Sequence, residues 1–154
     1  MKTITYKNFT LEVDFNRTKE VYDNIQFSNL PSCNCSGCRN FLANKESIFH
    51  KEFINLLNQL GIDDYKKYSE IYHIYRLEIG KHLYGGWFHF KGRILENGHE
   101  LKETEPIEIN EGFKFFFRKD ASLSFFDKEE YSELVQLEIL AHSDWVLEKE
   151  IELD

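Results

Sequence analysis

Residues 86–96 read Gly86-Trp87-Phe88-His89-Phe90-Lys91-Gly92-Arg93-Ile94-Leu95-Glu96, and Asn97-Gly98 follows directly. Alternation puts Phe88, Phe90 and Ile94 on one face and Trp87, His89, Lys91 and Arg93 on the other. That is the period of a strand with one buried side. Asn-Gly suits a type I′ hairpin turn, because both residues tolerate positive φ. The returning strand is expected through Leu101 and on towards Ile107 and Ile109. Pro106 pushes it to a sheet edge, since proline has no N–H for a ladder.

Working outward, several further stretches read as strand. Residues 3–15 alternate through Phe9, Leu11, Val13 and Phe15. Residues 71–79 fit two readings: Tyr65, Tyr68, Tyr72, Tyr75 and Ile79 share a heptad-like helix face, while the β-branched and aromatic density favours a strand, with Gly80 and the following Lys-His-Leu-Tyr-Gly-Gly as a hairpin connection. Phe113, Phe115 and Phe117 share one face, as do Val135, Leu137, Ile139 and Ala141. Trp145, Leu147 and the tail from Ile151 to Leu153 suggest a last strand. Asp127 and Glu130 have the spacing of a capping box, so a helical turn is expected between the last Phe pair and Val135.

Helical signals are fewer. Phe49, Phe53, Leu56, Leu57 and Leu60 recur on a 3.6-residue period, which predicts an amphipathic helix over 45–60. Asn44 is its expected N-cap, and Gly61 its left-handed end with Ile62 folding back. Val21, Tyr22 and Ile25 face inward from a short turn, and Asp63 or Asp64 caps a further short helix through Ser69. The fold class expected is α+β: a single domain over 1–154, an antiparallel sheet carrying one main helix and a cysteine loop.

Charge is unevenly spread. The formal net charge is −8; residues 127–154 carry ten acidic groups against Lys128 and Lys149, and residues 96–111 carry six Glu against Lys102. Nucleic acid and anionic membrane both demand basic surface, so neither is an expected partner; a basic protein is. A solvated acidic face that maintains solubility is the plainer reading. No apolar run approaches the roughly 20 residues that span a bilayer, and the first residues lack a signal-peptide core, so a cytoplasmic protein is expected. The odd cysteine count agrees with a reducing compartment.

All three cysteines, Cys33, Cys35 and Cys38, fall between Leu30 and Phe41, where Pro31 and Gly37 predict a loop. Three thiolates with a Cys-x-x-Cys knuckle are a candidate zinc site. Zinc takes four ligands; His50 is nearest in sequence, and His82 or His89 could approach through folding. Reduced thiols packed against Leu30 and Phe41 are the competing reading, and redox or nucleophilic chemistry the third. A second candidate site is Tyr84, Trp87 and His89, where Gly85-Gly86 allows close backbone approach to a ligand over an aromatic floor. Its plainer alternative is a glycine turn feeding a core strand.

Four segments carry a resemblance: Cys33-x-Cys35-x-x-Cys38-x-Asn40-Phe41, Leu60-Gly61-Ile62-Asp63, Leu83-Tyr84-Gly85-Gly86-Trp87-Phe88-His89-Phe90, and Trp145-Val146-Leu147. Over residues 30–150 the chain resembles a small, uncharacterised bacterial family. The resemblance implies no activity. No phosphate loop and no hydrolase or zinc-protease motif occurs in the chain. The leading expectation is therefore a non-enzymatic domain of immunity or inhibitor type, binding a basic protein through its acidic C-terminal portion and holding a structural zinc. The rival is a metal-dependent enzyme or sensor built on the three cysteines with His50 or His89.

Overall fold

The computed structural model describes residues 1–25 and 35–150. Its strands are β1 (Lys2–Thr5), β2 (Thr10–Val13), β3 (Glu70–Glu78), β4 (Lys81–Glu96), β5 (His99–Leu101), β6 (Ile107–Asn110), β7 (Phe113–Arg118) and β8 (Leu134–Asp144). The helices are α1 (Phe15–Asp23), α2 (Ser36–Ile48) and α3 (Lys51–Leu60), with a 3₁₀ helix at Lys128–Glu133. The class is α+β, with one antiparallel sheet in the order β1-β2-β4-β8-β7-β6. β3 and β5 are further partners of β4.

β4 is the spine, because it is long enough to serve four neighbours. It pairs with β8 from Lys81↔Asp144 to Lys91↔Leu134, with β3 over its first half, and with β2 and β5 over its second. The strand begins at Lys81, five residues before the expected start, so only Ile79 and Gly80 form the turn from β3. Asn97 (φ 51°) and Gly98 (φ 82°) make the expected tight turn into β5. β6 does end the sheet, but as a partner of β7 rather than of β4.

The core lies between one sheet face and α2–α3. Phe53, on α3, packs its ring 5.0 Å from Phe113, 5.6 Å from Phe115 and 5.9 Å from Phe88. Phe41, on α2, meets Tyr84 at 5.5 Å. The end of α3 is as expected: Gly61 is left-handed (φ 100°) and the Ile62 N–H donates to the Leu57 carbonyl at 2.9 Å.

Several expectations are corrected. The helix over 45–60 is two helices, interrupted at Phe49 and His50, both extended. Asn44 is therefore inside α2 rather than an N-cap, and the apolar stripe from Phe53 onward belongs to α3 alone. The cysteine loop is helical from Ser36, so Cys38 lies in α2 and Cys35 at its N-cap. The strand over 3–15 is a hairpin, β1–β2, followed by α1, which starts at Phe15 with the Asp14 carboxylate accepting from the Arg17 N–H at 3.1 Å. Residues 63–69 hold no helix; Asp64 accepts from the Lys66 N–H in a turn instead. Residues 145–150 are not strand, and the tail 151–154 lies outside the described residues. The helical turn expected after Asp127 is present as the 3₁₀ helix, but without the capping box: the Asp127 carboxylate lies 3.3 Å from Arg17, and that of Glu130 binds Arg17 and Lys91.

Candidate functional sites

Cys35 and Cys38 sit on the first turn of α2, where a three-residue spacing brings two side chains to one side of a helix. Cys35 is exposed and Cys38 is buried; Cys33 lies outside the described residues. Among the described residues, no group of three or more His, Cys, Asp and Glu is arranged to hold a metal ion.

The three histidines considered as a fourth ligand are engaged elsewhere. His50 is the N-cap residue of α3, beyond the far end of α2, about 15 Å or more from Cys38 at 1.5 Å per residue. Asn110 contacts its ring nitrogens at 3.1 and 3.3 Å. His89 is wholly buried, with Nδ1 at 3.1 Å from the Ser69 hydroxyl and Nε2 at 3.0 Å from Gln136 Oε1. Burial pulls its pKa down to about 4, so it is a neutral core imidazole. His82 is also wholly buried, with both nitrogens occupied.

Tyr84, Trp87 and His89 do not form one surface. Strand period two sends Tyr84 to the helix-covered face and Trp87 and His89 to the other. Tyr84 is fully buried: its hydroxyl donates to the Gly37 carbonyl at 2.6 Å and accepts from Asn40 Nδ2 at 3.2 Å. Burial, reinforced by the nearby Cys38 and Cys35, pushes its pKa up to about 12. Trp87 donates from Nε1 to the Ser122 carbonyl at 3.1 Å. The aromatic residues that are exposed on that sheet face are instead Tyr72 and Tyr75 of β3.

Asn40 explains how the distant motifs meet. It is wholly buried, and its Nδ2 donates to the Asp144 carbonyl at 3.0 Å while its Oδ1 accepts from the Val146 N–H at 2.7 Å. One side chain thus fastens the start of α2 to β4 and to the segment after β8.

Beside it runs a chain of titratable groups that sequence reasoning missed. His73 Nε2 lies 2.8 Å from His82 Nδ1, and His82 Nε2 lies 2.8 Å from Glu150 Oε2. A carboxylate can only accept, so Glu150 assigns the proton of neutral His82 to Nε2, and His73 then donates to Nδ1. Gly80 N–H also donates to Glu150 at 2.7 Å, and Arg76 stands 3.8 Å away. Burial works to raise the Glu150 pKa, but these partners outweigh it and hold the carboxyl below its ordinary value. Burial and then the nearby His82 lower the pKa of His73. A Cβ on Gly37 would lie 2.6 Å from the His73 ring, so this imidazole is packed against the cysteine-bearing turn. Trp145 covers the other side, its ring 4.6 Å from that of His82. Only the middle member, His82, is wholly buried, while His73 and Glu150 are half-buried at the two ends; the arrangement is a latch for the segment after β8.

The acidic groups fall into two kinds. In the C-terminal portion, Glu130 binds Arg17 at 2.6 Å and Lys91 at 3.2 Å, and Glu138 meets Arg118 at 3.2 Å. Asp127, Glu133 and Glu150 also have basic partners. The Arg17 hydrogen bond, then Lys91, working against burial, hold Glu130 down at about 2. Around β5 and β6 the carboxylates are different: among the described residues Glu96, Glu103, Glu105, Glu108 and Glu111 have no ion-pair partner within 4.0 Å. In the C-terminal portion Glu129, Asp144 and Glu148 are likewise exposed without an ion pair, so among the described residues the larger group of unpaired carboxylates is the one in 96–111.

A cleft of about 420 Å³ opens at the end of the sheet, with His50, His142, Asn44, Lys81, Glu111 and Asp144 on its walls. No helix among the described residues is long and apolar enough to cross a membrane. The class that fold and sites define is thus an α+β fold with an aromatic core, a partly buried polar latch and a group of unpaired carboxylates around β5 and β6. Compared with protein-family models, with curated proteins and with solved structures, the chain matches none.

Proposed function

We propose that this protein is a non-enzymatic binding domain for a basic protein, of immunity or inhibitor type. The observation that carries the reading is the uncompensated acid of residues 96–111. Five of its six glutamates, all but Glu100, stand without an ion-pair partner around β5 and β6, while Asp127, Glu130, Glu133, Glu138 and Glu150 of the C-terminal portion are held in internal ion pairs. Like charges held together without neutralisation oppose folding slightly, so their retention favours a role in association, where they steer an oppositely charged partner. A structural zinc on Cys33, Cys35 and Cys38 belongs to the same reading, as a staple at the start of α2.

The test is quantitative capture by wild-type protein and by the E105Q/E108Q/E111Q variant at low salt and at about 1 M salt, where screening acts within about 3 Å. Wild type is expected to retain a partner of high isoelectric point that the variant and the high-salt wash both lose. Equal recovery by both proteins, or recovery indifferent to salt, ends the proposal.

A further inference from the structure

β6 pairs only with β7, so one side of its backbone faces outward. Among the described residues no hydrogen bond reaches that outer edge. Edge strands with free N–H and C=O groups are templates for a further strand. Two clefts adjoin this edge and meet at Tyr6 and Ile107. One, of about 250 Å³, lies between β6 and α3, with Leu56, Ile109 and Phe115 on its floor. The other, of about 410 Å³, continues past Pro106 to Phe9 and Leu101.

The rim of this groove is acidic. Glu52 and Glu108 border the first cleft, and Glu96, Glu103 and Glu105 the second, with Lys7 as the one cation lining them. Within β6, Ile107 and Ile109 are half-buried and Glu108 and Asn110 exposed, so apolar and polar side chains alternate across the strand, with Glu108 the charged one. A second copy of the chain fits poorly as an antiparallel β6 partner, because the two acidic edges would meet; like charges placed across strands are destabilising. An extended segment that alternates aliphatic with Lys or Arg side chains satisfies both faces at once.

We infer that β6 is a strand-addition site for an extended basic segment of the partner, with its aliphatic side chains in the groove beside α3 and its cations along Glu105 and Glu108. This rests on the proposed basic partner and adds where and how it is bound.

The probe is the synthetic peptide Arg-Val-Lys-Ile-Arg-Val, with its glutamate counterpart and a version N-methylated on alternate backbone amides. It is titrated into isotopically labelled full chain and followed through backbone amide signals. The expected result is salt-sensitive binding of the basic peptide, with shifts centred on Ile107–Asn110. Loss of the two rim charges in E105Q/E108Q should weaken it about fivefold, and N-methylation should abolish it. Shifts centred elsewhere, or equal binding of the N-methylated peptide, overturn strand addition while leaving a basic partner standing. Equal binding of the glutamate peptide, or no binding by any of the three, overturns the inference and removes the charge argument beneath the proposed function as well.

Discussion

Tyr72 fills the space that a side chain on Gly85 would need: a Cβ built at Gly85 would lie 2.6 Å from Tyr72 Cζ, and the two residues face each other across the β3–β4 ladder. The obstacle is the tip of a half-exposed ring that can swing outward. Gly92 is the contrasting case, where a Cβ would lie 1.9 Å from the backbone oxygen of Glu12 in β2. Gly85→Ala should therefore cost about 1 kcal/mol and move the Tyr72 ring, 5.9 Å from Trp87, with a change in tryptophan emission. Gly92→Ala should cost about 3 kcal/mol by forcing β2 from its register. Denaturant melts of the two variants check the order; equal costs would mean that β2 yields as easily as a ring.

His89 sets an acid limit on stability. Its folded pKa of about 4 lies below the ordinary 6.5, so the unfolded chain takes up the proton first as pH falls. The contribution is fully present above pH 6.5 and is lost as pH falls towards 4. Over the whole interval the loss is about 3 kcal/mol. In His89→Gln, the stability lost between pH 7 and pH 4 should shrink by that amount. Unchanged pH dependence would show that His89 is not the group responsible.

The latch at Glu150 should respond to its own removal. Glu150→Gln keeps the shape but loses the charge that His82, Gly80 and Arg76 converge on. Because the folded pKa of Glu150 is depressed, its contribution is present above the ordinary carboxyl range and vanishes as pH falls through the lowered value. The variant is expected to show faster proteolysis around Val146–Lys149 and an altered Trp145 signal at neutral pH, with the difference from wild type fading in acid. A variant indistinguishable from wild type at pH 7 would reduce the latch to a packing contact.

Metal content decides the cysteine question. Protein purified untagged, without chelator and under reducing conditions, is expected to carry about one zinc per chain, and chelation should lower its melting temperature because metal binding is coupled to folding. Metal-free protein of the same stability would leave Cys38 as a core thiol.

The strands were readable where structure is local. Residues 86–96 alternate cleanly, Asn97-Gly98 names its turn, and the phenylalanines of 113–117 mark one face. The two helices in place of one were not readable, because neither Phe49 nor His50 is a breaker; the bend exists because Phe49 must reach Phe88 and Phe113 in the core. The helical start at Ser36 was hidden by Gly37 and two cysteines, all weak helix formers, and is held by the contact of Tyr84 with the Gly37 carbonyl. His73 and His82 looked scattered for a related reason. Continued without irregularity from Glu78↔Lys81, the hairpin would set His73 opposite Gly86; two register shifts set it opposite Tyr84, beside His82. Glu150, arriving from 68 residues away, left no local signal at all.

The spine strand also dictates an order of events. β4 must wait for β8, which begins 38 residues after β4 ends, before any pair of its longest ladder can close. During synthesis the chain therefore carries an apolar, half-paired strand until β8 emerges, and its folding belongs to the slower regime of distant pairings, on the order of milliseconds to seconds. A nascent chain stalled before Leu134 leaves the β8-facing edge of β4 unpaired, and such an edge is a template for aggregation.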